Sequence, residues 1–188
     1  MRNLTTASLF LLAAMALPAA ASPVAFSGST DNTNAPGAPG GRCAPALTVS
    51  IGPGGTSGTS NFGDFSFSAS HCIASPPPAS YFGGEFDFMF TNGDQLLGTY
   101  TGTLTATADP TVFDNVQSYV VTGGTGHFAD ATGTFAGTGT VTRAPGLPAM
   151  SEQTFSGTLN GVPEPVTLFV FGAGLFGLAA TRRRRRLA

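Results

Sequence analysis

Residues 85–96 read Glu85-Phe86-Asp87-Phe88-Met89-Phe90-Thr91-Asn92-Gly93-Asp94-Gln95-Leu96. Phenylalanine at every second position puts three rings on one face and Glu85, Asp87 and Met89 on the other, which is the period of a half-buried strand. Asn92-Gly93 follows where the strand must reverse, and both residue types tolerate the positive φ angles of a type I′ turn. The return strand runs from about Gln95, with Thr99, Thr101, Thr103 and Thr105 on one face and Tyr100, Gly102 and Leu104 on the other. This hairpin makes the chain a β protein.

The same period recurs on both sides. Leu47, Val49 and Ile51 alternate with hydroxyl residues, and Phe65, Phe67 and Ala69 alternate with Asp64, Ser66 and Ser68 ahead of Cys72. Pro76, Pro77 and Pro78 cannot join a ladder and mark a loop. Further strands are expected over 116–122, 134–142 and 153–159, with a glycine turn at Gly123, Gly124 and Gly126 and with Pro145 and Pro148 between the last two. Short strands without a helical period leave an all-β sandwich or a small closed antiparallel barrel. Closure is favoured, because it removes the edges along which Phe- and Thr-rich strands aggregate. The barrel domain is expected over 47–160. Residues 22–46, rich in Gly, Pro, Asn and Ser, are expected to be irregular and pinned at Cys43.

Both ends read as targeting segments. Arg2, the apolar residues 4–17 and Pro18 precede Ala19, Ala20 and Ala21, the pattern of a signal peptide (1–21) cut after Ala21 with Ala19 and Ala21 as the small cleavage-site residues. In the 188-residue chain, five of the eight basic residues stand together near the C-terminus. Over 22–161 only Arg42 and Arg143 face nine Asp and Glu, a balance of about minus seven. A body this acidic has almost no cations with which to displace phosphate counterions, so nucleic acid is excluded as a partner.

Cys43 and Cys72 remain after export, and an oxidising compartment favours a disulfide over two free thiols. His71 and His127 have no third ligand at metal spacing, and no motif implies a metal or a cofactor. Glu85, Asp87 and Asp94 are candidates for paired acid–base chemistry. Glu85 and Asp87 read better as the solvated face of the hairpin, so no catalytic residue is assigned and the chain is read as a non-enzyme.

Two resemblances add to this. The run 123–133, Gly-Gly-Thr-Gly-His-Phe-Ala-Asp-Ala-Thr-Gly, together with Ser70-His71-Cys72 and the Asn92-Gly93 hairpin, resembles bacterial proteins related to allene oxide cyclase and dirigent-type barrels. It implies a calycin- or dirigent-like barrel, with no catalytic residue carried over. The tail (161–188) resembles the PEP-CTERM sorting signal: Val162, Pro163, Glu164 and Pro165, then the apolar run 166–180, then Arg182, Arg183, Arg184, Arg185 and Arg186. The resemblance implies an exosortase, a membrane-embedded transpeptidase, as partner.

The physics of the tail agrees. Fifteen helical residues span ~22 Å, short of a ~30 Å hydrocarbon core, and three glycines weaken the helix further. The arginines hold it at the cytoplasmic side. A transmembrane helix that anchors permanently, and one that is removed after sorting, are both open; the extended acidic motif beside it favours removal.

A secreted or cell-surface protein results, inner-membrane-bound as precursor and associated with exopolysaccharide or biofilm matrix. As alternatives, Phe65, Phe67, Phe86, Phe88 and Phe90 line a cavity for a small apolar ligand or simply fill a narrow barrel, and the threonine rows bind ice.

Overall fold

The computed structural model describes residues 22–35 and 38–163. The chain forms β1 (Val24–Asn34), β2 (Ala38–Pro39), β3 (Leu47–Ser60), β4 (Gly63–Ile73), β5 (Ala79–Phe90), β6 (Gln95–Ala106), β7 (Val112–Gly124), β8 (Thr132–Thr142) and β9 (Ala149–Asn160). From β3 to β9 each strand pairs antiparallel with the next, and β1 pairs with both β9 and β3. The result is a closed antiparallel barrel of eight strands, with β2 a two-residue appendage on β3. The signal-peptide residues, Ala19 and Ala21 among them, lie outside the described residues, as do Glu164, Pro165 and Arg182 to Arg186. Among the described residues no helix is long and apolar enough to cross a membrane.

The expectation of an irregular 22–46 is corrected here. Its first half is β1, the strand that closes the barrel, so the domain starts at Val24 and not at residue 47. Its inward positions after Phe26 are Gly28, Thr30, Asn32 and Asn34, which gives it no apolar alternation. The lead-in that remains, around Gly41–Cys43, is pinned as expected: Cys43 and Cys72 form a disulfide, with Cα atoms 5.3 Å apart. On the chain-entropy model, closing a loop of about 30 residues contributes roughly 3–4 kcal/mol. Arg42 adds to this tie, its Nη2 donating to the Ser70 carbonyl at 2.7 Å.

The 85–96 hairpin pairs as read, but its turn differs. No described non-glycine residue has positive φ, so a type I′ turn at Asn92-Gly93 is ruled out. Gly93 N–H donates to Phe90 O at 2.9 Å, and Phe90 N–H donates to Asp94 O at 2.9 Å. The turn therefore centres on Thr91 and Asn92, and Gly93 alone takes the left-handed conformation (φ 90°) that completes a three-residue loop. Asn92 instead caps the loop, its Oδ1 accepting the Asp94 N–H at 3.0 Å.

One end of the barrel is filled. Phe65, Phe67, Phe86, Phe88 and Phe90 all point inward and are buried, packed with Phe26, Phe135 and Phe155. Phe65 stacks on Phe88 at 4.5 Å, and Phe67 meets Phe88 edge-on at 5.0 Å. Such large rings fit a narrow barrel because glycines lie opposite them. A Cβ on Gly98 would stand 2.6 Å from Phe86 Cε1, inside van der Waals contact. Slipping the register by one residue would exchange these rings for Glu85 and Asp87.

The turns at this filled end are 61–62, 91–94 and 125–131, and β1 begins and β9 ends there. The opposite end is formed by the end of β1, residues 38–46 and the loops 74–78, 107–111 and 143–148.

Candidate functional site

Between the phenylalanine plug and the opposite end lies a cavity of about 500 Å³. That is within the range of sites that hold one small organic molecule. Its composition changes with depth. Near the mouth the wall is apolar: Leu47, Ile73, Leu104, Phe113, Val141 and Ala149, rimmed by Pro76, Pro77, Pro110 and Leu147. One or two positions deeper along the same strands stand His71 (β4), Asn115 and Gln117 (β7), and Ser151 and Gln153 (β9), joined by Tyr81 from β5.

This polar floor is partly paired within itself. The Tyr81 hydroxyl donates to Asn115 Oδ1 at 2.7 Å, and the Tyr119 hydroxyl beneath donates to Gln117 Oε1. His71 Nδ1 lies 2.7 Å from the Tyr100 hydroxyl. Other atoms have nothing. Ser151 Oγ and Asn34 Oδ1, on two residues that line the cavity, are buried without a hydrogen-bond partner among the described residues. A buried polar atom left unpaired costs roughly 1–3 kcal/mol, so leaving two on one cavity wall disfavours a purely structural role.

The floor is uncharged at neutral pH. Burial, helped by the nearby Arg42 charge, lowers the His71 pKa to about 4. Burial also raises Tyr81 well above the usual tyrosine range. Among the described lining residues the remaining ionisable group, Arg143, is exposed on the rim.

His71 therefore gives the barrel a pH signature. In the unfolded chain it protonates near ~6.5, and in the folded barrel only near about 4. The unfolded state thus binds the proton more readily between these values. Stability fully present above the upper one falls as pH drops and levels off below the lower one, by about 3 kcal/mol. Denaturant midpoints should show the wild type losing more stability between neutrality and acid than His71→Gln by about that amount. Equal slopes would mean that the ring is not held neutral.

The residues singled out from sequence fall elsewhere. None of Phe65, Phe67, Phe86, Phe88 and Phe90 lines the cavity; they form the plug below it, the second of the two alternatives read from the sequence. Plug and cavity exclude each other in so narrow a barrel, and the rings occupy the end where glycines make room. Glu85 is exposed on the outer wall, 3.8 Å from Arg42, while Asp87 is half-buried there and accepts from Gln95 Nε2 at 3.0 Å. Asp94 pairs with His127 at 2.6 Å in the loops of the filled end, a contact that holds the Asp94 carboxyl below the usual range. None of these carboxylates lines the cavity. Among the described residues no group of three or more metal-ligating side chains is assembled.

Val162, read as the first residue of the sorting motif, is fully buried in the core at the filled end, and Pro163 is exposed. Of the two described residues of that reading, Pro163 alone is accessible.

The sequence reading passed over the floor residues, although a signal was present. Asn115 and Gln117 share strand parity with Phe113, Tyr119 and Val121, and Ser151 and Gln153 share it with Phe155 and Leu159. Polar residues in the parity of a core mark an interior that is not entirely filled.

No protein-family model matches the chain. No curated protein matches it, and no solved structure does.

Proposed function

We propose that this chain is an exported, non-enzymatic cell-surface protein, sorted by an exosortase-like transpeptidase through its C-terminal tail and associated with exopolysaccharide or biofilm matrix. Its barrel holds a small molecule in the open half. The observation that carries this reading is the polarity of the barrel. β1 starts and β9 ends at the plugged end, and the cavity opens at the other.

Cleavage after Ala21 leaves only Ser22 and Pro23 before β1, so export and folding share a boundary. At the other terminus Pro163 follows directly on buried Val162, which sets the barrel's plugged end close to whatever holds the tail. During inner-membrane sorting, and after attachment at the surface, the mouth faces away from the tether. That orientation suits capture of a molecule from outside.

The ice-facing alternative meets the curvature of the barrel. A row of small outward side chains runs Ser80–Thr103–Val116–Thr138–Thr154–Ser29–Thr59 across seven paired strands. It wraps the barrel instead of lying in a plane, which speaks against a flat crystal face as its partner.

The uncharged fluorophore N-phenyl-1-naphthylamine tests the cavity. The purified exported protein should bind one probe per barrel. Val141→Trp and Leu104→Trp, each filling the cavity from a different strand, should weaken binding at least about tenfold. Failure of the wild type to bind, or equal binding by folded forms of both variants, would refute the ligand-carrying role.

A further inference from the structure

We infer that the cavity selects an uncharged amphiphile, inserted with its hydrogen-bonding head against the floor of Ser151, Gln153 and Asn115 and with its apolar body along the mouth. The inference rests on the ligand-carrying role proposed above, and supplies the chemistry of the ligand.

The order of the lining sets the orientation. Leu47, Ile73, Leu104, Phe113 and Val141 surround the outer part, where an alkyl or ring body is desolvated favourably, by roughly 25 cal/mol per Å² buried. Deeper in, a hydrocarbon end would leave the Gln153 amide, which makes no hydrogen bond within the described residues, without a partner, next to a buried Ser151 Oγ that already has none among them. A polar head supplies partners at this level.

The chemistry of these atoms sets the class of head. A serine hydroxyl donates and accepts, a carboxamide offers two N–H donors and one oxygen, and the free Asn34 Oδ1 on the wall is an acceptor. Together they match a head that donates and accepts at once, such as a hydroxyl or a primary amide. A carboxylate brings charge to a floor with no cation. Arg42 lies on the outside, held by Ser70 and Glu85, and Arg143 is on the rim. His71 is neutral there. Burying an unpaired ion is far more costly than burying a paired dipole. An ammonium head meets the same obstacle, since no Asp or Glu among the described residues lines the cavity.

Displacement of bound N-phenyl-1-naphthylamine by ligands of one chain length is the test: 1-decanol, decanamide, decanoate and decyltrimethylammonium, added below their micellar concentrations at neutral pH. Decanamide and 1-decanol should displace the probe at concentrations at least about tenfold lower than either charged ligand. In Ser151→Ala, and separately in Gln153→Leu, the advantage of decanamide over decanoate should shrink about two- to tenfold, the equivalent of one neutral hydrogen bond. The head-group inference fails, with the cavity role intact, if the fluorophore binds but decanoate displaces it as well as decanamide does. It fails equally if decanoate displaces best and loses that advantage in Arg143→Ala, which would place the head at the rim. Absence of fluorophore binding is the different result that removes the cavity role itself.

Discussion

Phe88→Asp is expected to leave the barrel unfolded in buffer without denaturant. Phe88 is 1% exposed, and its ring lies within 6.3 Å, centroid to centroid, of Phe26, Phe65, Phe67, Phe86, Phe135 and Phe155. Truncating a buried phenylalanine to alanine alone removes about 3–5 kcal/mol. Aspartate adds a charge that no described basic residue reaches, against a total domain stability of roughly 5–15 kcal/mol. The chain has no tryptophan, so the buried Tyr81, Tyr100 and Tyr119 report the loss through near-ultraviolet circular dichroism. Phe82 on the same strand supplies the contrast: it is 50% exposed, and Phe82→Asp should change stability by less than about 0.5 kcal/mol. Native near-ultraviolet spectra in both variants would mean that the plug does not hold the fold together.

How much of this could be read beforehand follows from which side chains fill the barrel. Strands β4 to β6 were legible because their inward residues are Phe65, Phe67, Phe86, Phe88, Phe90 and Tyr100, and large apolar rings at period two have few other readings. β1 was not legible. Past Phe26 it faces the polar belt, so Thr30, Asn32 and Asn34 stand where apolar residues would have announced a strand. The hairpin turn was placed one residue late because Asn-Gly is also compatible with a loop in which only the glycine needs positive φ.

The polar lining of the cavity was missed for a related reason. Its floor is built from Asn115, Gln117, Ser151 and Gln153, residue types that on an isolated strand read as solvent-facing. Parity with the core distinguishes them, but parity becomes informative only once closure makes every inward position share one interior. Burial of Val162 was equally hidden, since nothing in Gly161-Val162-Pro163 distinguishes the last residue of a barrel from the first of a tail. The structure separates the two, through Gly161 at φ 74° turning the chain beside Asp130.

Replacing Pro163, Glu164 and Pro165 together by alanine is expected to abolish maturation while leaving export intact. On the proposed reading export depends on the N-terminal segment, which the change does not touch, and folding should persist because Pro163 is exposed and Val162 remains to seal the plugged end. Only the proline-flanked carboxylate is lost. Alanine lifts the restraint that two prolines place on the backbone and would remove the segment that the proposed sorting enzyme would engage. Full-tailed precursor should then accumulate in the inner membrane. On that reading its apolar run and arginine cluster would keep it there, although so short and glycine-containing a run would make a poor permanent anchor.

Mass spectrometry of the C-terminal peptide, on protein taken from the cell surface and matrix and from the inner membrane, reads the outcome directly. Wild-type surface molecules are expected to end at or near residues 163–165, with every peptide from Val166 onward confined to the inner-membrane precursor, and the triple variant to yield that precursor alone. Surface molecules that retain Val166 and the arginine cluster, in wild type and variant alike, would contradict sorting and leave the tail a simple anchor.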